Sequence, residues 1–362
     1  MKILLVGFKL SIGNELYMNM LYKYLKENNI EIDICGDSNY IKKYNIGKVI
    51  ANGGNAKQMF IDTINPINWI KFYKLLKKGN YDYVFFVTSH TLNNIAIILV
   101  KLFKNIKIIS QIHDPLPHSG TSYAKIIFYS QKIQSILSDL VIVAGKSLKN
   151  DIIKYYNKEA NKIFVLPLGS HRKEKSFINK SKRQYFSVLG RIEEYKGIDV
   201  FLKAIIKILK DENMKKLKFV IAGDGDISKY KNLIQQIPKE NLVIKNYLIS
   251  DEEFDEIIKN SYAVVLPYKD GTQTGTVQIA YSNSTPCIVT KVGSIYELVE
   301  DKKTGYIIEP NNVEELVNAI KKMFFNSDII EMEKNAYAFY NKYLKWDSII
   351  NQLIEKLNRR DF

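Results

Sequence analysis

Cysteine and histidine are scarce in this chain of 362 residues, which has two cysteines and four histidines. Cys35 and Cys287 lie far apart, and neither has a C-x-x-C partner or a histidine at metal-ligand spacing. This scarcity excludes a disulfide framework and a structural zinc site, and we expect no metal and no other cofactor. The low cysteine content also favours a reducing, cytoplasmic location.

Long apolar runs are missing as well. The longest uncharged apolar stretches, such as residues 95–100, are far shorter than the roughly 18 residues that a membrane-spanning helix needs. The apolar amino terminus meets Lys9 and Glu15 before it reaches the length of a signal-peptide core. We therefore expect a first β-strand there, and no segment that crosses a bilayer.

Strand and helix patterns alternate along the whole chain, which predicts an α/β fold with parallel sheets covered on both faces. With 46% hydrophobic residues, the length suits two Rossmann-like, doubly wound domains. The predicted strands are residues 3–8, 30–35, 84–88, 106–112, 140–144 and 163–166 in the first domain, and 185–189, 217–222, 242–247, 263–267, 287–290 and 306–308 in the second.

A polar stretch rich in Lys, Arg and Ser interrupts this alternation and predicts a linker over residues 169–183. The predicted domains are then 1–168 and 184–340. The final helical segments exceed what the second sheet needs, so we expect residues 341–362 to return to the first domain.

Positive charge is concentrated in the first domain. The chain has a formal charge of +15, and residues 1–168 hold 22 Lys+Arg against 11 Asp+Glu. Residues 69–79 place Lys71, Lys74 and Lys78 on one helical face, with aromatic and aliphatic residues around the rest, and residues 123–132 are also basic and aromatic. This pattern predicts transient docking on an anionic membrane, although a solvated lysine face on a packed helix is an equally good interpretation. No nucleic-acid-binding signature accompanies the charge, so nucleic acid is not an expected partner.

The strongest local motif is Gly190-Arg191-Ile192-Glu193-Glu194-Tyr195-Lys196-Gly197, at a strand-to-helix turn. Such a turn offers free backbone N–H groups, and Arg191 and Lys196 add two positive charges, so the motif outlines a diphosphate clamp. Alternatively, the two cations pair with Glu193 and Glu194 on the surface.

Two further polar loops follow predicted strands, at Gly223-Asp224-Gly225-Asp226 and over residues 270–275. Singly, each suits a turn or a helix cap. Together with the first motif, they lie at the carboxyl ends of neighbouring strands, where open parallel sheets bind ligands.

These motifs resemble those of family 4 glycosyltransferases, which have two facing Rossmann-like domains with a cleft between them in the arrangement called GT-B. The resemblance rests on LGRIEEYKG (189–197), IAGDGD (221–226), the stretch 265–289 and the stretch 292–310. It implies that Arg191 and Lys196 bind the diphosphate of a nucleotide-sugar donor during a retaining, metal-independent transfer. The other donor-binding candidates are Gly13, Gly190, Gly223, Asp224, Gly225, Asp270, Thr272, Gln273, Thr274 and Gly275.

One departure from the family concerns its usual pair of glutamates, eight residues apart. Alignment on Thr285-Pro286 puts Gly271 and Ile279 in their places, so both carboxylates are absent. The loop instead resembles that of a variant subgroup with Thr-Gln-Ser/Thr-Gly.

In the first domain, Ser11-Ile12-Gly13-Asn14 follows the first strand, where the family keeps small residues close to the donor phosphates. Two histidines follow the predicted strand 106–112, and their loop resembles the acceptor-side loop of the same subgroup. We expect His113 to contact the donor sugar or the acceptor hydroxyl across the cleft as a catalytic residue, and His118 to lie further out on the acceptor side.

The predicted function is therefore transfer of a sugar from a nucleotide diphosphate to a hydroxyl acceptor. Expected acceptors are a glycan or a polyprenyl-diphosphate-linked sugar of a bacterial surface polysaccharide, such as capsule or O-antigen, at the inner face of the plasma membrane. Two alternatives stay open. One is a non-catalytic nucleotide-sugar-binding or partner subunit, suggested by the absent glutamates. The other is a nicotinamide-dependent oxidoreductase that uses Asp37, against which the lack of G-x-G-x-x-G weighs.

Overall fold

The computed structural model describes residues 1–52, 56–116, 123–170, 176–178 and 183–362. Within them the chain forms two compact units. The first consists of Met1–Pro167 and Ile349–Phe362, and the second of Leu168–Ser348.

The first unit has, within the described residues, seven parallel strands in the order β3-β2-β1-β4-β5-β6-β7. They are β1 (Lys2–Gly7), β2 (Glu31–Asp37), β3 (Lys48–Ala51), β4 (Tyr83–Phe86), β5 (Lys107–Gln111), β6 (Leu140–Val143) and β7 (Ile163–Val165). The helices are α1 (Ile12–Glu27), α2 (Ser38–Tyr44), α3 (Ala56–Ile64), α4 (Pro66–Gly79), α5 (Thr91–Val100), α6 (Ala124–Leu137) and α7 (Lys146–Tyr156).

The second unit has six parallel strands in its described part, in the order β10-β9-β8-β11-β12-β13. They are β8 (Tyr185–Leu189), β9 (Lys218–Ala222), β10 (Leu242–Lys245), β11 (Ser261–Leu266), β12 (Cys287–Thr290) and β13 (Gly305–Ile308). The helices are α8 (Ile198–Ile208), α9 (Lys231–Ile234), α10 (Asp251–Lys259), α11 (Thr276–Ser282), α12 (Val313–Phe324) and α13 (Ile329–Phe339). The last helix, α14 (Trp346–Arg359), begins in this unit and belongs to the first unit from Ile349 onward.

The inner strands carry continuous apolar runs because helices cover both faces of each sheet. β4, β6 and β12 are buried along their whole length. Side chains on the two faces of the second sheet form separate apolar clusters, one around Phe201 and Phe219 and the other around Val264 and Tyr281. The predicted α/β class is confirmed. Within the described residues, the predicted strands occur with ends shifted by at most two residues, and β3 was not predicted.

The carboxyl-terminal part of α14 packs within the first unit. The hydroxyl of Tyr83 donates to the backbone oxygen of Leu357 over 2.7 Å, and Arg360 pairs with Asp82 at 3.2 Å. No helix of the described residues combines the length and apolar character that crossing a bilayer requires.

An ion pair joins the entry of the second unit to α13. Nε and Nη2 of Arg183 donate to the two carboxylate oxygens of Glu333 over 2.8 and 2.6 Å. The Glu333 side chain is fully buried, whereas 14% of the Arg183 side chain is exposed. Such a pair is costly to break because the remaining charge is left without a partner.

We predict that Glu333→Gln lowers the free energy of unfolding by about 3 kcal/mol, measured by urea denaturation. Glu331→Gln is the matched control, because Glu331 lies on the same helix but pairs with Lys334 on the surface at 3.6 Å. That change should cost less than about 0.5 kcal/mol. Equal unfolding midpoints for the two variants would contradict the assigned role of the Arg183–Glu333 pair.

Candidate functional site

Three loops meet at the carboxyl edge of the second sheet. β8 lies between β9 and β11, and all three strands run parallel. The loops that follow them, residues 190–197, 223–226 and 270–275, are therefore neighbours. The sequence predicted this juxtaposition, and the strand order confirms it.

The first two loops are joined by backbone contacts beyond the strand ends. The N–H of Gly190 donates to the oxygen of Ala222 over 2.9 Å, and the N–H of Ile192 donates to the oxygen of Asp224 over 2.7 Å. Gly223 has φ of +154°, and a Cβ there would lie 2.1 Å from the oxygen of Gly190. Only glycine permits this approach.

The Lys196 side chain is held inside this loop. A short 3₁₀ turn over Glu194–Lys196 positions it, only 9% of the residue is exposed, and its Nζ lies 5.5 Å from the centre of the Tyr268 ring. A Cβ on Gly190 would approach that Nζ to 2.9 Å, so Gly190 leaves room for the ammonium. In the described part of the chain, no ion pair joins Lys196 to a carboxylate.

Arg191 has the opposite environment. Its side chain is 74% exposed and pairs with Glu193 at 3.0 Å, and this contact raises the pKa of the guanidinium. Simple surface pairing is therefore correct for Arg191 and wrong for Lys196, which does not pair with Glu194.

The third loop is ordered by its own polar groups. The carboxylate of Asp270 accepts from the N–H of Gly271 over 2.7 Å, and the backbone oxygen of Thr272 accepts from the N–H of Ser294 over 2.8 Å. The Thr274 hydroxyl accepts from the N–H of Thr276 over 3.2 Å, at the start of α11.

Gly275 is exposed, and the space around it is open. Apart from its chain neighbours and the backbone of α11, no atom of the described residues lies within 4 Å of a Cβ built on Gly275, and its φ of −86° suits any amino acid. The fold itself therefore does not require glycine here. Gly13, in the first turn of α1, has the same open space around its Cβ position.

Gly271 and Ile279, the two positions that the sequence analysis aligned with the family's glutamates, contribute no carboxylate. Ile279 is 4% exposed and packs in the apolar cluster of the second unit, and Gly271 has no side chain. A residue that the sequence analysis missed lies beside Ile279. Gln278 is 2% exposed and donates from Nε2 to the backbone oxygen of Leu168 over 3.2 Å, while its buried Oε1 accepts no hydrogen bond from the described residues. The sequence feature that could have identified Gln278 is that it is the one amide side chain in α11, whose other residues are small, hydroxyl-bearing or apolar.

Asp224 and Asp226 have Asp-x-Asp spacing, but Asp226 serves a structural purpose. Its Oδ1 accepts from the N–H and the hydroxyl of Ser228, over 3.1 and 2.5 Å. Across the described ranges, no group of three or more His, Cys, Asp or Glu side chains is placed to hold a metal ion.

In the first unit, His113 directly follows Ile112 at the carboxyl end of β5 and is half-buried. Its ring meets the ring of Tyr17 edge-on at 5.8 Å, and the Tyr17 hydroxyl donates to Oε1 of Gln111 over 3.0 Å. Burial lowers the pKa of His113, and the carboxylate of Asp114 opposes that shift. A neutral imidazole can donate one hydrogen bond and accept another. His118 lies outside the described residues.

Another histidine, which the sequence analysis did not select, lies at the same edge of the first sheet. His90 precedes α5, and its Nδ1 accepts from the N–H of Leu92 over 3.2 Å. Burial, reinforced by Lys9, lowers the pKa of His90 to about 4, so this ring is neutral at pH 7. Its position in the short loop between β4 and α5 was the sequence feature that could have identified it.

The oxidoreductase alternative depended on Asp37. In the structure Asp37 is buried and caps α2, with Oδ1 accepting from the N–H of Asn39 over 2.7 Å. Burial also raises the pKa of its carboxyl group. This carboxylate is engaged within the fold, which weakens the case for a nicotinamide site.

Comparison with known proteins identifies the family. Residues 13–171 match the model described as Glycosyltransferase Family 4, and residues 183–326 match the model described as Glycosyl transferases group 1.

Two curated relatives illustrate the similarity. The chain is 24% identical to an uncharacterized glycosyltransferase of Methanocaldococcus jannaschii over 253 residues, which span 64% of this chain and 63% of that protein, under two thirds of its length. It is also 24% identical to the UDP-Gal:alpha-D-GlcNAc-diphosphoundecaprenol alpha-1,3-galactosyltransferase of Escherichia coli over 283 residues, or 74% and 72% of the two chains.

Among solved structures, Anabaena HepE in complex with UDP superposes with a TM-score of 0.73 at 16% identity, covering 99% of this chain and 100% of HepE. That likeness shows the fold. The two family matches, over residues 13–171 and 183–326, show that the chain belongs to the group 1/family 4 glycosyltransferases, and it has their GT-B fold.

Proposed function

We propose that this protein transfers a sugar from a nucleotide diphosphate to a hydroxyl acceptor, with retention of anomeric configuration and without a metal ion. The observation that carries the proposal is the Lys196 side chain at the carboxyl edge of the second sheet, which belongs to a residue only 9% exposed and has no carboxylate partner among the described residues. A buried cation is costly unless an opposite charge compensates it, and a donor diphosphate supplies that charge.

Arg191 provides the second positive charge. Its pair with Glu193 is exposed, and exposed pairs contribute only about 0 to 1 kcal/mol, so the guanidinium can turn to a phosphate at little cost. As the glycosidic bond of the donor breaks, negative charge grows on the leaving diphosphate. The two cations stabilise that charge, and the departing phosphate can accept the proton of the acceptor hydroxyl.

Gly275 supports the same site. Because it has open space where a Cβ would stand, its lack of a side chain leaves room for something outside the fold. In our proposal the donor occupies that space in the second unit, and Gly13, which has the same open space in the first unit, is proposed separately as a donor contact of that unit. Asp270, Thr272, Gln273 and Thr274 supply polar groups around the donor, and Gly223, Asp224 and Gly225 form its other wall.

For the acceptor side, we assign contact with the reacting sugar or hydroxyl to His113, and an outer acceptor contact to His118. A neutral imidazole at the end of β5 suits hydrogen bonding to a hydroxyl group. The non-catalytic alternative retains one favourable observation, the absence of both glutamates, and it predicts nucleotide-sugar binding without turnover.

We propose a lipid-linked acceptor, reached from the cytoplasmic face of the plasma membrane. The related Escherichia coli enzyme is named for a diphosphoundecaprenol-linked acceptor, which supports this class. A second support is the outer surface of α3–α6 in the first unit, where α5 packs against α3, α4 and α6. The large apolar side chains exposed on this surface are Phe60, Ile61, Ile64, Ile67, Ile70, Tyr73, Ile98, Ile126, Tyr129, Ile133 and Ile136.

Helix α6 has the reverse of the usual polarity of a surface helix, because its buried residues are polar and several of its apolar residues are exposed. Its buried residues are polar, namely Ser130, Gln131, Gln134 and Ser135. Its outer face exposes Ile126 at 58%, Tyr129 at 61% and Ile133 at 46%. An apolar outer face of this kind marks an interaction site, and a membrane interface provides an apolar surrounding for it.

The charge of the α3–α6 surface suits an anionic membrane. Its helices and the turn after α5 carry lysines at positions 57, 71, 74, 77, 78, 101, 104, 125 and 132. The one acidic residue in these helices, Asp62, is buried and accepts hydrogen bonds from Asn52. Ile70 and Tyr73 of α4 lie exposed beside its lysines, which favours membrane docking over a purely solvated lysine face.

The donor site is tested by turnover. The full chain is assayed, in EDTA, for release of nucleotide diphosphate from UDP- and GDP-sugars in the presence of a polyprenyl-diphosphate-linked acceptor in detergent micelles. We expect Arg191→Ala and Lys196→Ala each to lower kcat/KM about a hundredfold, because each removes one positive charge that stabilises the leaving diphosphate.

The exposed Lys203, which pairs with Asp199 in the same unit, provides the matched control Lys203→Ala. Near-normal kinetics of both clamp variants would refute the donor-clamp assignment. Tight nucleotide-sugar binding without any turnover by the unmodified protein would favour the non-catalytic alternative.

Gly275→Ala separates a ligand role from a folding role. Because φ is negative and the space is open, alanine should leave stability unchanged or raise it by about 0.4 to 1 kcal/mol. The added methyl group should nevertheless reduce kcat/KM at least tenfold. Thermal unfolding and donor kinetics on the same preparation test this, and unimpaired kinetics would show that no substrate approaches Gly275.

Membrane docking is tested by co-sedimentation with vesicles of anionic or neutral lipid. Changing Lys71, Lys74, Lys77 and Lys78 to Gln should weaken binding to anionic vesicles at least tenfold, since each lysine contributes roughly 1 kcal/mol near such a surface. The control changes the exposed Lys207, Lys210, Lys215 and Lys216 of the second unit, which alters net charge equally. Equal losses in both variants, or equal binding of the unmodified protein to both lipids, would contradict docking through α3–α6.

A further inference from the structure

Asn246 lies directly after β10, at the carboxyl edge that carries the three loops of the second unit. Its side-chain Nδ2 donates two hydrogen bonds, to the backbone oxygen of Gly223 over 3.1 Å and to that of Gly225 over 2.9 Å. Both hydrogens of the Asn246 side-chain amide are therefore donated to one neighbouring loop, residues 223–226.

The loop that Asn246 contacts, residues 223–226, is hydrogen-bonded on its other side to the segment that contains Arg191. On its other side, the backbone oxygen of Asp224 accepts from the N–H of Ile192, and Gly225 forms a parallel bridge with Ile192. The segments after β8, β9 and β10 are thus joined side by side beyond the strand ends. Asn246 is the outermost member of this row.

Packing does not account for Asn246, because the residue is exposed. Its chemistry is specific instead. The two groups it contacts are both hydrogen-bond acceptors, so a side chain that joins them must donate twice. Aspartate has the same shape but no N–H, and its carboxylate would face two carbonyl oxygens.

We propose that Asn246 is a positioning residue that fixes the Gly223–Asp226 loop, and through it the Arg191 segment, in the geometry that binds the diphosphate part of the donor. Asn246 acts on the loop backbone and not on the transferred sugar. It therefore sets the affinity for the nucleotide diphosphate more than the rate of sugar transfer. This inference rests on the proposed function of the donor site.

The test compares Asn246→Ala and Asn246→Asp with the unmodified full chain. Isothermal titration with UDP, GDP, ADP and dTDP identifies the nucleotide that binds, and donor kinetics give KM and kcat separately. We expect Kd and KM to rise about tenfold for Asn246→Ala and further for Asn246→Asp. kcat should change less than threefold, and the melting temperature should stay the same.

Asn260→Ala is the matched control, because the Asn260 side chain also donates to a backbone oxygen, that of Glu256 over 3.0 Å, but before β11 and so at the opposite edge of the sheet. Amide hydrogen exchange provides a readout that does not depend on nucleotide. Exchange in residues 223–226 should accelerate in both Asn246 variants and not in the Asn260 variant.

Unchanged exchange in the loop, or unchanged Kd in variants of a protein that binds nucleotide, would overturn the role of Asn246. A loss of kcat equal to the loss of kcat/KM would overturn it too. If the unmodified protein binds none of the four nucleotides, the proposed function fails and the inference fails with it. Hydrogen exchange then still reports whether Asn246 holds the loop.

Discussion

The constraint on which the rest of the proposed site depends is the Lys196 cation, which is carried by a residue only 9% exposed and has no carboxylate partner in the described part of the chain. Burying a cation without a counter-ion opposes folding, so the surrounding structure has to impose it. Here the 3₁₀ turn of Glu194–Lys196, the space left by Gly190 and the face of the Tyr268 ring hold the charge in place. A donor diphosphate would compensate this charge. Because folding already positions the Lys196 side chain, little conformational entropy is lost there when the donor binds.

The sheet supplies the rigidity that such a site needs. Parallel strands that share a carboxyl edge bring sequence-distant loops together, and the backbone contacts between the segments after β8 and β9 extend that order beyond the strands. Binding groups on short loops above a packed sheet lose little freedom when a ligand arrives. In the first unit, α6 differs from an ordinary surface helix, since it buries polar residues and exposes an apolar face, which we propose contacts a membrane.

Sequence patterns predicted most of the fold because strand alternation, glycine turns and polar loops are local signals. β3 was not predicted because its four residues stand in the sequence between Asn45-Ile46-Gly47 and Asn52-Gly53-Gly54, and Asn and Gly are typical of turns. Which face of α6 is buried could not be predicted, since periodicity does not fix the direction in which a helix faces. The loop of Lys196 was predicted, but its burial away from Glu194 depends on Tyr268, which is distant in sequence. His90, Asn246 and Gln278 are single polar residues, and only their three-dimensional neighbours distinguish them.

The most direct test of the central claim is a crystal structure of the full chain with whichever of UDP, GDP, ADP and dTDP binds most tightly. The account predicts that the diphosphate lies within hydrogen-bond distance of Nζ of Lys196 and close to Gly275, with the Arg191 guanidinium turned from Glu193 to a phosphate oxygen. A diphosphate bound elsewhere, with the Lys196 ammonium still facing only the Tyr268 ring, would contradict it, as would the absence of binding by all four nucleotides.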